Sequence, residues 1–257
     1  MKIYSPKGPA REYAPLALNP FKGCGFNCTY CYVPGIIGRF NKNYDHTKAV
    51  PGDVRPLISQ LKNKKFTDQV LISFTGDPYN PFDEEENFLR SILTYLLSKE
   101  IKVAILTKAG TSVIRDLDIF KKYGDRIKVG FTLTFNNNED TDKWEPGTAY
   151  PLSRIIALQV LKENNIKTWA SIEPVISPLQ SFDMIKKTVD FVDIYKIGKL
   201  NHNPKLERTI NWNVFLIQVV EYLRDHNKHF YIKKDLQPFR YDYHLTEQET
   251  NQDFGNL

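Results

Sequence analysis

All three cysteines of this 257-residue chain fall within eight positions, in the stretch Cys24-Gly25-Phe26-Asn27-Cys28-Thr29-Tyr30-Cys31. Scattered structural cysteines do not cluster in this way. Three thiolates on one loop can close around a metal centre and leave a fourth coordination position open for substrate or cofactor. Gly23 and Gly25 permit tight turns, and Pro20 and Pro34 bracket the segment, so the stretch reads as a loop. Three arrangements could use such a triplet. A disulfide with one spare thiol suits an odd cysteine count badly, and the chain shows no secretory signal. Structural zinc, with His46 as the nearest fourth ligand, normally takes two close pairs of ligands rather than one triplet. An iron–sulfur cluster with one uncapped iron takes the triplet as it stands.

A chain of this length suffices for one α/β barrel-type domain. No Gly/Ser linker or low-complexity segment marks a boundary. A single domain over 1–257 is therefore expected, with a short N-terminal lead-in and a polar tail from about residue 235. The composition, 41% hydrophobic and 25% charged, provides for a sizeable core. The aromatic share of 13% suits packing first and base stacking second. A net charge of +5 is compatible with an anionic partner. The N-terminus has no apolar signal region, and no run approaches the ~18 apolar residues of a membrane span, so a soluble, cytoplasmic protein with no membrane partner is expected.

After the cysteine loop, apolar runs bounded by turn residues alternate with segments of helical period. Strands are expected at 69–75, 102–107, 126–135, 168–175, 193–200 and 229–233, with a shorter one within 14–19. Helices are expected from Asp53 onward and at 84–99, 112–123, 152–164, 182–189 and 212–226, and a loop at the Asn-rich, acidic 136–145. Strict β-α alternation implies a parallel sheet with right-handed crossovers, either a closed or partial barrel or an open doubly wound sheet.

The spacing C-x3-C-x2-C, with the aromatic Tyr30 directly before the third cysteine, resembles the motif of the radical S-adenosylmethionine (SAM) enzymes. The wider string Lys7-Gly8-Pro9-Ala10-Arg11, Asn19-Pro20-Phe21-Lys22-Gly23-Cys24 and Tyr30-Cys31-Tyr32 resembles the spore photoproduct lyase-like branch, a likeness extending from about Lys7 to His202. The resemblance implies a partial (β/α)6 TIM-type barrel with the cluster loop at the C-terminal mouth of the strands. Cys24, Cys28 and Cys31 would then hold a [4Fe-4S] cluster whose fourth iron chelates SAM. Reductive cleavage of SAM would give a 5′-deoxyadenosyl radical for hydrogen abstraction, in an enzyme of lyase or transferase type. An electron donor such as flavodoxin or ferredoxin is implied as well.

A barrel predicts function in the polar residues at strand C-termini. Gly76-Asp77 stands where the family's Gly-Gly-Glu-type segment meets the amino group of SAM, with a plain strand-ending turn as the alternative. Lys108 could pair with the SAM carboxylate, or be a loop lysine. Thr132 and Thr134 could bond the ribose or the methionine moiety, or fill a strand. Glu145-Pro146 and Pro151-Leu152-Ser153-Arg154 resemble the branch's Glu-Pro and Pro-x-x-Arg segment, in which the arginine contacts SAM or anchors the loop. Glu173 could bind ribose or substrate, paired with Lys196 or Lys199, and Tyr30 would lie near adenine or pack under the loop.

One departure from the photoproduct lyase matters. That enzyme returns a hydrogen atom from an additional cysteine, and this chain has no fourth cysteine. Thymine-dimer repair is therefore not the expectation, and the substrate stays unnamed. Nucleic acid is one class that the basic and aromatic stretch His229-Phe230-Tyr231-Ile232-Lys233-Lys234-Asp235, followed by Phe239-Arg240-Tyr241-Asp242-Tyr243, could meet, the alternative being a last strand and a docked tail. The rival from another class is a non-catalytic zinc- or cluster-binding protein that recognises nucleic acid. A SAM methyltransferase would want a glycine-rich loop after its first strand and would leave the cysteines unexplained.

Overall fold

Short apolar runs assemble one curled parallel sheet. The computed structural model describes residues 1–37, 47–83 and 87–257. Its strands are β1 (Leu16–Ala17), β2 (Phe21–Lys22), β3 (Val50–Pro51), β4 (Val70–Ile72), β5 (Val103–Thr107), β6 (Ile127–Thr132), β7 (Lys167–Ile172), β8 (Ile194–Ile197) and β9 (His229–Ile232). β2 and β3 form a separate antiparallel ribbon. The other seven lie in the order β1-β4-β5-β6-β7-β8-β9, every neighbouring pair parallel. The edge strands β1 and β9 do not pair with each other, so the barrel is partial. The fold is six β-α units closed by a seventh strand, the partial TIM-type barrel that the motif implied.

The curl is visible in what meets on the concave side. Ala17 of β1, Leu71 of β4, Ala104 of β5, Trp169 of β7 and Ile194 of β8 belong to one apolar cluster, which a flat sheet would spread out. Gly130 of β6 makes room there: a Cβ on it would lie 2.4 Å from the Trp169 indole nitrogen, which donates to the Ile105 carbonyl at 2.9 Å. The convex face carries the main core against the helices.

These helices are α1 (Val33–Ile37), α2 (Arg55–Asn63), α3 (Phe88–Ser98), α4 (Leu117–Tyr123), α5 (Asn138–Trp144), α6 (Pro151–Glu163), α7 (Pro178–Thr188), α8 (Pro204–Glu207), α9 (Trp212–Asp225) and α10 (Glu247–Thr250). α3 shows the usual cause: Leu89, Ile92, Leu93, Leu96 and Leu97 recur at helical spacing and are all buried. Ser177 and Asn211 cap α7 and α9 by accepting from the third amide onward.

Two expectations need correction. The stretch 136–145 is not all loop. The Asn137 side chain accepts from the Asp140 amide at 2.8 Å, and Glu139 and Asp140 sit in the first turn of α5, where the helix dipole favours acids. The helix expected over 112–123 begins as a 3-10 segment, Gly110–Asp116, before α4. The stretch after β9 (His229–Ile232) is a docked tail. Its last residues turn back under the sheet, where Lys196, Lys128 and Lys102 donate to the carbonyls of Gln252 (3.4 Å), Gly255 (2.7 Å) and Leu257 (3.0 Å).

Candidate active site

The cysteine loop follows β1 and is pinned from several sides. The Asn19 carboxamide accepts from the Phe74 and Thr75 amides at 2.9 and 3.2 Å, tying the loop's start to the end of β4. Gly23 has φ +85, and a Cβ on Gly76 would lie 2.3 Å from the Gly23 carbonyl oxygen. Glycine at 76 therefore permits backbone-to-backbone contact between loop and strand end. That approach lets the Asp77 amide donate to Cys24 Sγ at 3.4 Å. Farther along, the Thr29 amide donates to the Trp144 carbonyl and the Gly147 amide to the Phe26 carbonyl, at 2.8 and 3.1 Å.

All three cysteines are free and half-buried. Burial pushes the Cys28 thiol up to about 12, against the pull of the Lys108 charge, and raises Cys24 as well. Cys28 also feels the charges of Cys24 and Cys31, so the three thiols lie within electrostatic reach of one another. Buried thiols that resist ionising on their own suit a cationic centre, which deprotonates its ligands. Among the described residues, no three His, Cys, Asp or Glu side chains converge as a single ion requires. One tetrahedral zinc ion would draw its sulfurs to within about 4 Å of each other. His46, the candidate fourth zinc ligand, lies outside the described residues. Thiolates that each bind a separate iron of a cluster are under no such demand. The donor set fits the cluster.

Behind the loop stands a buried ion pair. The Arg154 guanidinium donates to Glu145 Oε2, to Thr148 Oγ1 at 2.7 Å, and to the Ala149 and Thr132 carbonyls at 3.0 and 2.9 Å. Glu145 Oε1 accepts the Tyr30 hydroxyl and the Thr134 hydroxyl. Burial opposes the Glu145 charge, but Arg154, Lys108 and the Tyr30 hydroxyl together hold its carboxyl below the usual range. Arg154 thus anchors Glu145, which anchors Tyr30 between Cys28 and Cys31. Lys108 stands 5.8 Å from the Tyr30 ring centroid, and among the described residues its ammonium has no hydrogen-bond or ion-pair partner. Burial works to lower the Lys108 pKa, yet the charges of Cys28 and Glu145 raise it above the ordinary lysine value.

Asp77 is committed locally. Its carboxylate accepts the Thr107 hydroxyl at 2.5 Å, the Lys108 amide at 2.8 Å and the Tyr79 amide at 3.0 Å, while burial raises its pKa. A carboxylate offers about four acceptor positions, so one stays open. The side chain bolts the ends of β4 and β5 together. Thr132 is buried, and its carbonyl serves Arg154.

The opposite wall is built on Glu173, at the end of β7. Its carboxylate accepts the Tyr13 hydroxyl, the Lys233 ammonium and, at 3.3 Å, the Asn201 amide. Neither lysine expected as its partner fills that role. Lys196 turns to the Glu12 and Tyr13 carbonyls at 2.7 and 3.0 Å, and Lys199 pairs with Glu207. Gly198 leaves space for Glu173, since a Cβ there would lie 2.8 Å from its carboxyl carbon. Tyr13 also meets Ser171 Oγ at 2.9 Å, and Asn201 reaches Asp235 at 2.5 Å. Tyr13 and Asp235 carry no local motif, and Lys233 read only as part of a basic run. Tyr13 and Lys233 stand 160 and 60 positions from Glu173 and meet it only because the sheet curls, while Asp235 reaches it only through Asn201.

With this geometry in hand, comparison with known proteins is direct. The model of the radical SAM superfamily matches residues 18–192. An uncharacterized protein of Methanocaldococcus jannaschii is 34% identical over 198 residues, covering 76% of this chain and 73% of that one. Among solved structures, spore photoproduct lyase with bound SAM and dinucleoside spore photoproduct superposes with TM-score 0.67 at 14% identity, over 90% of this chain and 78% of that one. Streptococcus suis SuiB bound to SAM gives TM-score 0.63 at 14% identity, over 90% of this chain. This chain spans about half of SuiB, 53% of its length. At such identities these two likenesses speak for the fold.

Proposed function

The chain belongs to the radical SAM superfamily, and from that premise we propose that it is a single-domain enzyme holding a [4Fe-4S] cluster on Cys24, Cys28 and Cys31. One apolar core reaching from Ile3 to Leu245 supports the single domain. When bound and reduced, the cluster supplies an electron that cleaves SAM, releasing a 5′-deoxyadenosyl radical able to take hydrogen from a substrate. The observation that carries this reading is the cysteine loop. It holds every thiol of the chain, half-buried, at the strand ends of a half-barrel, with an amide already aimed at one sulfur.

The remaining roles belong to the protein. Lys108, charged and with no hydrogen bond or ion pair among the described residues, would receive the SAM carboxylate. Gly76 and the open acceptor position of Asp77 would receive its amino group. Thr132 and Glu173 would border the ribose, and Tyr30, fixed by Glu145, would support the adenine side. The two walls also exclude water from the mouth. One solved neighbour binds a dinucleoside and another a precursor peptide, so both are trial substrates.

The test is anaerobic reconstitution with iron and sulfide, then dithionite and SAM, with 5′-deoxyadenosine assayed by chromatography. A brown protein that makes 5′-deoxyadenosine, and stops when Cys28→Ala is introduced, is expected. Stoichiometric zinc, no cluster absorbance and intact SAM would sink the enzyme and favour a zinc-binding recognition protein.

A further inference from the structure

The loops after β8 and β9 supply Asn201 and Asp235 to the Glu173 wall. Farther along the same two loops lies a hollow of about 400 Å³, whose lining includes Arg208, Asn211, Trp212, Asn213, Phe239 and Tyr241. That volume falls in the range of small-molecule sites, about 300–1,000 Å³. Its shape is fixed from within. Trp212 packs on Phe239 with ring centroids 6.2 Å apart and donates from Nε1 to the Glu207 carbonyl at 3.0 Å. Asn213 Nδ2 donates to the Phe239 carbonyl at 2.8 Å, and Lys199 holds the Glu207 carboxylate at 2.9 Å.

Two lining residues are left over by this framework. Arg208 is exposed, and among the described residues its guanidinium makes no hydrogen bond or ion pair. Tyr241 is 72% exposed and sits at φ +47, a backbone region that a bulky aromatic residue enters only at a cost. Among the described residues its side chain makes no hydrogen bond or ring contact to offset that cost. Backbone strain without a structural return marks a candidate binding residue. The charge nearby has one sign. Lys205, Lys234 and Arg240 are also exposed and unpaired among the described residues, while Asp242 is the single exposed acid of 198–213 and 233–242.

Resting on the radical SAM reading, we propose that this hollow holds the phosphate of a phosphorylated small-molecule substrate at the rim of the mouth, with Arg208 on the phosphate and Tyr241 against the adjoining ring. A free guanidinium presents a planar fork that matches an oxyanion with two hydrogen bonds. A phosphate monoester carries nearly two negative charges at neutral pH, which suits several unpaired cations better than one carboxylate does. A concave site of this volume seats a small molecule rather than an extended strand. Both loops follow C-terminal strand ends, where barrels carry their sites, and Asn201 ties them to Glu173. The hollow binds and orients one end of the substrate; no bond forms or breaks there.

The test uses the reconstituted protein and radiolabelled ribose 5-phosphate as the probe, with binding read by equilibrium dialysis at two salt concentrations. Binding is expected to weaken with salt and to be displaced by inorganic phosphate. Arg208→Ala is expected to weaken it about tenfold or more at an unchanged melting temperature, and Arg208→Lys to restore only part of the loss. Tyr241→Gly separates function from structure. It relieves the backbone, so the melting temperature should hold or rise while affinity falls. Affinity that ignores both Arg208→Ala and Tyr241→Gly would overturn the assignment. So would succinate binding as well as the phosphate, which would make this a carboxylate site. A single-stranded oligonucleotide that binds more tightly with the same Arg208 dependence would give the hollow to nucleic acid and overturn it too. A protein that binds ribose 5-phosphate through Arg208 but makes no 5′-deoxyadenosine with dithionite overturns the enzymatic reading, and the substrate role with it. The two failures are thereby told apart.

Discussion

At the scale of single residues, the site depends on two charges that burial would otherwise disfavour. Removing one member of a buried pair strands the other, at a cost of about 3–5 kcal/mol. Arg154→Ala is therefore expected to lower the urea midpoint steeply, since Glu145 has no exposure through which to recover solvation. The pH dependence follows in sign. The carboxyl of Glu145 is held below its ordinary value in the folded protein, so its contribution is present at neutral pH and is lost as pH falls through and below the normal glutamate range. Replacing Arg154 removes the largest charge that holds this carboxyl down, so the loss of stability between neutral pH and the glutamate range should be shallower in Arg154→Ala than in the parent, as followed by circular dichroism. Lys108 makes a different prediction. Lys108→Met should weaken SAM binding about tenfold or more by equilibrium dialysis, while cluster absorbance persists. Loss of the cluster in that variant would mean that the ammonium serves the thiolates rather than SAM.

At the scale of elements, the backbone of the turn after β4 is what the cysteine loop leans on. A methyl group at position 76 would meet the Gly23 carbonyl at 2.3 Å, and that atom belongs to backbone that cannot swing aside. Gly76→Ala is expected to cost iron uptake, measured as iron per protein, with a smaller change in melting temperature. The same elements show what could be read beforehand. β4 through β9 were legible because doubly covered strands are apolar runs between turn residues, and the cysteine triplet was legible because it is contiguous. α5 was missed because its Asn-rich, acidic sequence resembles a loop until Asn137 is recognised as a cap. Glu145 and Arg154 could be named as a segment, but not as a pair that holds Tyr30. The partners of Glu173 come from three distant stretches, and only the curl of the sheet selects Lys233 over the nearer Lys196 and Lys199.

At the scale of the whole molecule, the concave side of the half-barrel is filled by the chain's own two ends. Lys196 joins them, donating to Glu12 and Tyr13 on one side and to Gln252 on the other, and Arg11 pairs with Asp253. Burial takes Lys196 down to about 7 and Lys128 well below the usual lysine value. A lysine whose folded pKa is depressed penalises folding wherever it must be charged. That penalty is full below pH 7 and is relieved as pH rises toward the normal lysine value. Lys196→Met should remove this dependence, so the parent gains about 2 kcal/mol more than the variant between pH 7 and 9, by urea titration at the two pH values. The joined ends also bear on timing. The N-terminal segment is seated by Ser171, Glu173, Tyr231, Lys233 and Asp253, all of which leave the ribosome long after the cysteines. At about 5–20 residues per second, the three thiols wait on the order of 10–40 s before their floor exists. On the proposed cluster reading, iron is therefore expected to load only after residue 253 has been made.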